Sequence, residues 1–140
     1  MNFRKIFIFS VSAAVLLTSA LFAAKAEDGD EEFIGIVTNV LSGNGAEVTA
    51  SVSSDAYLVY GGKFEHLYGV ITGSNKKMTL REDPARKITF YSAKINDSGT
   101  GAFVTLRTDD KTKKKGRFHT IVFMKNGSGI WKIVSWHTSV

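Results

Sequence analysis

The sequence predicts a single small α+β domain, with helices at its N-terminal end packed on one face of an antiparallel sheet. Apolar residues recur at helical spacing in the first part of the chain and alternate with polar residues in the second part. Turn sequences rich in Gly, Asn and Ser separate the alternating segments. Helices that precede a run of antiparallel strands are typical of the α+β class.

The first residues have the features of an export signal. Arg4 and Lys5 are followed by 17 residues without a charge, Ile6–Phe22, and then by the small-x-small sequence Ala24–Ala26. The alternative is an uncleaved anchor, but the apolar stretch is shorter than the ~20 residues that span a bilayer. We therefore expect removal of residues 1–26, an exported mature protein that is periplasmic or secreted, and no membrane contact after cleavage.

The mature chain, residues 27–140, has the size of one domain and contains no cysteine, so it must be stable without disulfides. Loss of the three basic residues of the signal lowers the Lys and Arg count from 18 to 15, against 13 Asp and Glu, and leaves a charge of +2. Five basic residues lie in one polar segment, Lys111–Arg117, without interleaved aromatic residues, which argues against a nucleic-acid partner. We expect a solvated hairpin tip there, with binding to an anionic surface as the alternative.

Three helices are predicted before residue 73. The first contains an apolar stripe at helical spacing, acidic residues before it suit a helix N-terminus, and Ser42–Gly45 ends it. The residues of the stripe are Phe33, Ile36, Val37, Val40 and Leu41. A second, short helix is predicted over 46–53 and a third over 64–72, with a strand rich in Tyr, Leu and Val over 55–60 between them.

The rest of the chain is predicted to be β-structure. A short strand at 78–81 precedes the lone proline, Pro84, and longer strands follow at 87–94, 102–107, 117–125 and 130–138. The turn sequences at 96–99 and 126–129 contain Asn and Gly, which accept positive φ at little cost. Consecutive strands joined by such turns form an antiparallel meander.

Two segments carry a resemblance to a known family. The closing sequence GIWKIVSWHTS, Gly129–Ser139, resembles the last strand of the SnoaL-like branch of the nuclear transport factor two-like superfamily. The sequence SSDAYLVYGG, Ser53–Gly62, resembles the first strand of that family. The resemblance implies a curved sheet that forms a cone with the helices, an apolar pocket inside the cone, and a homodimer formed through the outer face of the sheet.

The steroid isomerases among these relatives use a carboxylate base at the end of the first strand. Alignment of Asp55 and Ala56 with the Asp-Ala of the family places Tyr60 at the position of that base. A tyrosine, with a pKa near ~10, is a poor base at neutral pH, which argues against this isomerase chemistry.

His137 is the most suggestive polar residue. Strand alternation places Trp131, Ile133, Ser135 and His137 on one face, which the apolar pair suggests is the inner one. His137 then either contacts a ligand or is a rim histidine bonded to a backbone carbonyl. His119 falls on the opposite face, with Trp136, which we expect to be an outer-face or dimer contact.

The expected function is that of a non-enzymatic exported domain that binds a small apolar molecule or acts as a dimeric interaction module. No thiol, dinucleotide loop or metal-ligand spacing is present in the sequence, so no cofactor or metal is expected. The alternative is a SnoaL-like isomerase or cyclase acting on a small cyclic apolar substrate, with His137 and Tyr60 as its catalytic residues. The expected ligand-binding residues are Tyr57, Tyr60, Tyr91, Trp131 and His137.

Overall fold

The structure, a computed structural model, describes residues 30–110 and 115–139. The predicted signal and most of the lysine-rich segment, residues 111–114, lie outside the described residues. The chain forms helix α1 (Glu31–Leu41), a 3-10 helix (Gly45–Ser51), strands β1 (Val52–Tyr60) and β2 (Lys63–His66), and helix α2 (Leu67–Thr72). Strands β3 (Lys87–Ile95), β4 (Gly101–Asp109), β5 (Gly116–Lys125) and β6 (Trp131–Ser139) follow.

All six strands form one sheet in the order β2-β1-β6-β5-β4-β3. The predicted α+β class is confirmed, and β3 to β6 form the predicted antiparallel meander. The sheet is mixed, because β1 pairs with β6 in the parallel direction. The connection from β2 to β3 carries the chain from one edge of the sheet to the other, so that β6 returns beside β1. None of the helices in the described part of the chain is long and apolar enough to cross a membrane.

Two predicted helices differ from the structure near the first strands. The second is a short 3-10 helix that ends at Ser51, because Val52 already belongs to β1. The third begins three residues late, at Leu67, because Phe64 pairs with Val59 in a hairpin. Gly61 and Gly62 both have positive φ, 54° and 76°, which suits a tight two-residue hairpin turn.

The predicted strand at 78–81 is not formed. Residues 73–86, here called the crossing segment, contain no regular helix or strand and pass over the inner face of the sheet. Leu80 and Glu82 are both buried, and the Glu82 amide donates a 2.8 Å hydrogen bond to the carbonyl of Leu41 at the end of α1. Alternate residues of this segment, Leu80 and Glu82, point inward although the segment makes no strand hydrogen bonds with the sheet.

A β-bulge in β6 decides which side chains face inward. Val122 pairs with Ser135, whereas Phe123 pairs with Ile133, so Val134 is an extra residue in β6. Such a residue interrupts the alternation of the strand. Ile133 and Trp136 are therefore both fully buried on the inner face. The prediction that His137 shares a face with Ile133 is wrong for this reason.

The core lies between α1 and the inner face of β4 to β6. At one end, Phe33 of α1 contacts Phe123 and Trp131 edge-on, with ring centroids 4.9 and 5.2 Å apart. Val104, Leu106, Ile121 and other buried apolar side chains continue this layer. Side chains thus fill the centre of the inner face, and polar groups collect at the opposite end of the strands.

Candidate functional site

A charged cleft of about 360 Å³ opens at the end of the inner face where β1 and β4 end and β5 begins. The crossing segment supplies most of its wall. Three arginines, three acids, one tyrosine and two small residues line it: Arg81, Arg86, Arg117, Glu82, Asp83, Asp110, Tyr60, Thr79 and Ala85. This chemistry differs from the apolar pocket that the resemblance implies.

Glu82 lies at the base of the cleft and is only 5% exposed. Its Oε1 accepts a hydrogen bond from the Thr108 hydroxyl at 3.0 Å and lies 3.3 Å from Nε2 of His119 and 3.5 Å from Nη1 of Arg117. Its Oε2 lies 3.2 Å from Nε of Arg86. A buried charge is costly unless it is paired and hydrogen-bonded, and both conditions are met here.

His119 is fully buried and connects Glu82 to the core. The indole N–H of Trp136 donates to its Nδ1 at 3.1 Å, and the Thr138 hydroxyl lies 2.9 Å from the same nitrogen. Trp has only a donor, so Nδ1 must accept and carries no proton. The hydrogen-bond pattern thus assigns the neutral tautomer with a proton on Nε2, which points towards Glu82.

Local turn chemistry positions Glu82 and Arg86 on the same side of the crossing segment. The Asp83 carboxylate accepts the Ala85 amide N–H at 2.8 Å, and the Asp83 carbonyl accepts the Arg86 amide N–H at 2.8 Å. Such a turn is typical of Asp, which can bond to its own backbone two residues on. It returns the chain within four residues, so that Arg86 reaches back to the Glu82 carboxylate.

The pKa of the Glu82 carboxyl in the folded protein determines how this network responds to acid. Burial raises the pKa of the carboxyl, but hydrogen bonds from His119 and Thr108 and the charge of Arg117 lower it more, to below its ordinary value of 4.5. The unfolded chain therefore binds this proton more readily than the folded protein. The stability that Glu82 contributes is fully present above about pH 4.5 and is lost as the pH falls through the folded pKa.

We expect the free energy of unfolding to decrease as the pH is lowered below about 4.5, and part of this decrease to depend on Glu82. Urea unfolding between pH 7 and pH 3 measures it. Glu82→Gln cannot titrate and should show a shallower acid dependence, whereas Glu47→Gln, at an exposed position, should behave as the wild type does. Equal acid dependence in the two variants would contradict this assignment.

Of the predicted ligand-binding residues, Tyr60 alone lines this cleft. Its ring lies 5.6 Å from the guanidinium carbon of Arg117. Trp131 is on the inner face, as expected, but it packs on Phe33 seven residues along β6 from Thr138, the residue that pairs with Tyr60. At ~3.3 Å per residue it is too distant to contact the same small ligand.

The other predicted ligand-binding residues lie on the outer face of the sheet. Tyr57, Tyr91 and His137 are exposed there, so the structure does not bring them together with Tyr60. Tyr91 lies at a second bulge, between the pairs Phe90–Leu106 and Ser92–Thr105. Trp136, expected as an outer-face contact, is fully buried instead, because the bulge in β6 turns it inward.

The sequence reasoning missed the charged residues of the crossing segment. Glu82 and Arg86 fall in a run of charges around Pro84, which has the composition of a solvated loop. One signal was available, since continuing the alternation from Leu80 places Glu82 on the same inward side. The cluster also needs Arg117 and His119 from β5, and their proximity to Glu82 depends on the tertiary fold.

Within residues 30–110 and 115–139, no group of three or more His, Asp or Glu side chains is arranged to hold a metal ion. The three histidines lie in different environments: His119 is buried on the inner face, whereas His66 in β2 and His137 in β6 are exposed. His119 and His137 lie on opposite faces, as predicted, but the faces are reversed: His119 faces inward and His137 faces outward.

Comparisons with known proteins identify the fold. No protein-family pattern matches the chain, and no curated protein matches it either. Among solved structures, a candidate ketosteroid isomerase from Parabacteroides distasonis is similar, with 17% identity, coverage of 81% of this chain and 88% of that one, and a TM-score of 0.56. A second candidate ketosteroid isomerase, from Shewanella frigidimarina, has 23% identity, coverage of 73% and 86%, and a TM-score of 0.52.

A third solved structure carries the fold name itself. It is an NTF-2-like protein of unknown function from Silicibacter pomeroyi, with 16% identity, coverage of 78% of this chain and 96% of that one, and a TM-score of 0.51. Sequence identities at this level establish the fold alone, so membership of the SnoaL-like branch stays a prediction. The helix α1, the curved six-stranded mixed sheet and these neighbours together show that the chain has the nuclear transport factor two-like fold.

Proposed function

We propose that this protein is a non-enzymatic, exported binding domain that holds a small polar ligand in the charged cleft. The observation that carries the proposal is the buried Glu82 carboxylate at the base of the cleft, which accepts a hydrogen bond from Thr108 and is linked to His119. Buried ionic networks contribute little net stability compared with apolar packing. Their presence at the floor of an open cleft therefore favours a role in binding.

The chemistry of Glu82 argues against catalysis by this residue. Its two oxygens already have donors from Thr108, His119, Arg117 and Arg86, and its pKa lies below the ordinary value. A general base works best with a pKa near the working pH and with a free lone pair aimed at the substrate. The lowered pKa of Glu82 does not meet the first condition, and Arg86 already lies on Oε2, the less occupied of its two oxygens.

The alternative enzyme hypothesis relied on His137 and Tyr60. His137 is exposed on the outer face of the sheet and cannot reach the cleft on the inner face. Tyr60 reaches the cleft, where its hydroxyl can hydrogen-bond a ligand. The same geometry favours a polar ligand, because the centre of the cone is filled by Phe33, Phe123 and Trp136.

The experiment that tests this function is a ligand search on the mature protein purified after export. Native mass spectrometry detects co-purified molecules, and amide chemical-shift perturbation with a fragment library locates them. Binding should shift amides of Thr79, Asp83 and Ala85 around the cleft. A screen that shifts none of these amides would overturn the proposal.

A second candidate function, as a homodimeric interaction module, is favoured by the outer face of the sheet. Large apolar side chains are exposed there in two stacked groups, Tyr57 on Phe64 and Tyr91 on Phe118, with ring centroids 5.1 and 6.3 Å apart. Phe64 is 71% exposed. Clusters of large exposed apolar side chains often mark an interface. This surface and the cleft lie on opposite faces, so both functions can coexist.

We expect Phe118→Glu to shift the protein from dimer to monomer with little effect on folding, because the side chain is exposed on the outer face of β5. Light scattering coupled to size-exclusion chromatography measures the change in mass. Ile130→Glu is the matched control, since Ile130 is equally exposed but lies in the turn before β6. A wild-type protein that is monomeric at all accessible concentrations would contradict the homodimer.

A further inference from the structure

We propose that the ligand of the charged cleft carries an anionic group, a carboxylate or another small oxyanion, and that the guanidinium groups of Arg86 and Arg117 bind it. This inference rests on the proposed function, because it names the chemistry of a ligand in the same cleft. It follows from the balance of donors and acceptors around Glu82.

Arg86 has more hydrogen-bond donors than the described residues can satisfy. A guanidinium group carries five N–H donors. The Nε of Arg86 is 3.2 Å from Glu82, its Nη2 is 3.9 Å from Asp110, which is too long for a hydrogen bond, and its Nη1 is buried without a partner among the described residues. Buried donors in folded proteins are nearly always paired. A ligand oxygen bound in the cleft is an acceptor that would pair this donor.

The nearby carboxylate of Glu82 is already surrounded by donors and does not pair with Nη1 of Arg86. Glu82 already receives four donor groups, from Thr108, His119, Arg117 and Arg86. Three of these donors lie on Oε1 and the Nε of Arg86 lies on Oε2, so both oxygens are engaged. Asp83, the next acid along the chain, already accepts the amide of Ala85. The unpaired Nη1 of Arg86 thus leaves a donor at the cleft although its lining contains as many acids as arginines.

Glu82 also holds the two arginines in place. Arg117 lies 3.5 Å from its Oε1, and Arg86 lies 3.2 Å from its Oε2, so one buried carboxylate anchors both guanidinium groups. The ring of Tyr60 lies against the guanidinium of Arg117 and limits its movement further. Immobilised arginines lose less entropy on binding, and their planar forks match the geometry of carboxylates and other oxyanions.

The experiment titrates the full chain, purified after export, with three probes of similar size: benzoate, neutral benzamide and cationic benzylammonium. Chemical-shift perturbation follows the cleft amides, and acetate and inorganic phosphate then separate a preference for carboxylates from one for phosphates. We expect benzoate to bind at the cleft, to weaken as salt is added, and to bind about 10-fold to 100-fold more weakly to Arg86→Gln and Arg117→Gln.

Arg107→Gln is the matched control. Arg107 lies on the outer face of β4, 2.6 Å from Asp109 and over the ring of Phe118, so its loss should leave benzoate binding unchanged. If Arg86→Gln does not fold, Arg86→Lys keeps the charge without the fork and should give a smaller loss of affinity.

The outcomes separate this inference from the proposed function. Binding of benzamide or benzylammonium at the cleft, as tight as that of benzoate or tighter, would overturn the anionic ligand and leave the binding function intact. Benzoate binding that Arg86→Gln and Arg117→Gln do not weaken would overturn the assignment of these two arginines. Cleft amides that respond to none of these probes would overturn the anion site, whereas the proposed function falls only if the wider ligand search fails too.

Discussion

Replacement of Glu82 by alanine is expected to destabilise the protein by about 3–5 kcal/mol, the usual cost of breaking a buried ionic network by removing one partner. The change leaves Arg86 and Arg117 without their shared carboxylate, and the Nε2 proton of His119 loses its charged acceptor. Equilibrium unfolding in urea at pH 7 measures the loss as a lower midpoint.

Two further variants separate charge from burial at this position. Glu82→Gln keeps the shape and one acceptor oxygen, so it should cost less than Glu82→Ala does. Glu47→Ala removes an exposed carboxylate in the 3-10 helix and should change stability by no more than about 0.5 kcal/mol. A Glu82→Ala protein as stable as Glu47→Ala would show that the network does not support the fold.

Truncation of Trp136 to alanine is expected to cost about 3–5 kcal/mol, because it removes the largest fully buried side chain from the inner face. It also removes the indole N–H that bonds to Nδ1 of His119. The unfolding transition should move to a lower urea concentration. If the loss exceeds the free energy of unfolding of the wild type, the variant will not fold.

Trp136→Phe and Trp131→Ala serve as comparisons. Trp136→Phe keeps most of the ring and loses the indole hydrogen bond, with an expected cost of about 1–3 kcal/mol. Trp131 is only half-buried beside Phe33, so its truncation should cost less than that of Trp136. The reverse order would mean that β6 does not contain the bulge at Val134.

The sequence was sufficient to predict the class of the fold and most of its elements, because each depends on local pattern. The stripe from Phe33 to Leu41 is buried as expected, and the four strands after residue 86 lie close to their predicted bounds. The third helix was placed too early, because Gly61-Gly62 was interpreted as a break and not as a hairpin turn. The parallel pairing of β1 with β6 depends on the path of the chain between distant segments.

The candidate site was much less predictable. Tyr60 was found because a strand end in a resembling sequence drew attention to it. Glu82 was missed because it lies outside any regular element, and the hydrogen bond from its amide to Leu41 belongs to the packing of the crossing segment on α1. The burial of Glu82 depends on its partners Thr108, His119 and Arg117, which lie in other strands. The loop sequence alone does not indicate it.

The bulge at Val134 absorbs one residue of β6 and keeps the inward-facing side chains of β6 opposite those of β5. Side chains of a regular strand alternate between its two faces, so one added residue without a bulge would reverse the face of every residue after it. Substitution of Val134 should keep the bulge, and its deletion would join Ile133 to Ser135 in a regular strand with Trp136 and Thr138 still facing inward. A strand that kept Val134 without the bulge would instead direct His137 inward and Trp136 outward. The bulge therefore separates two histidines into different environments, with His119 in the dry interior and His137 in contact with solvent.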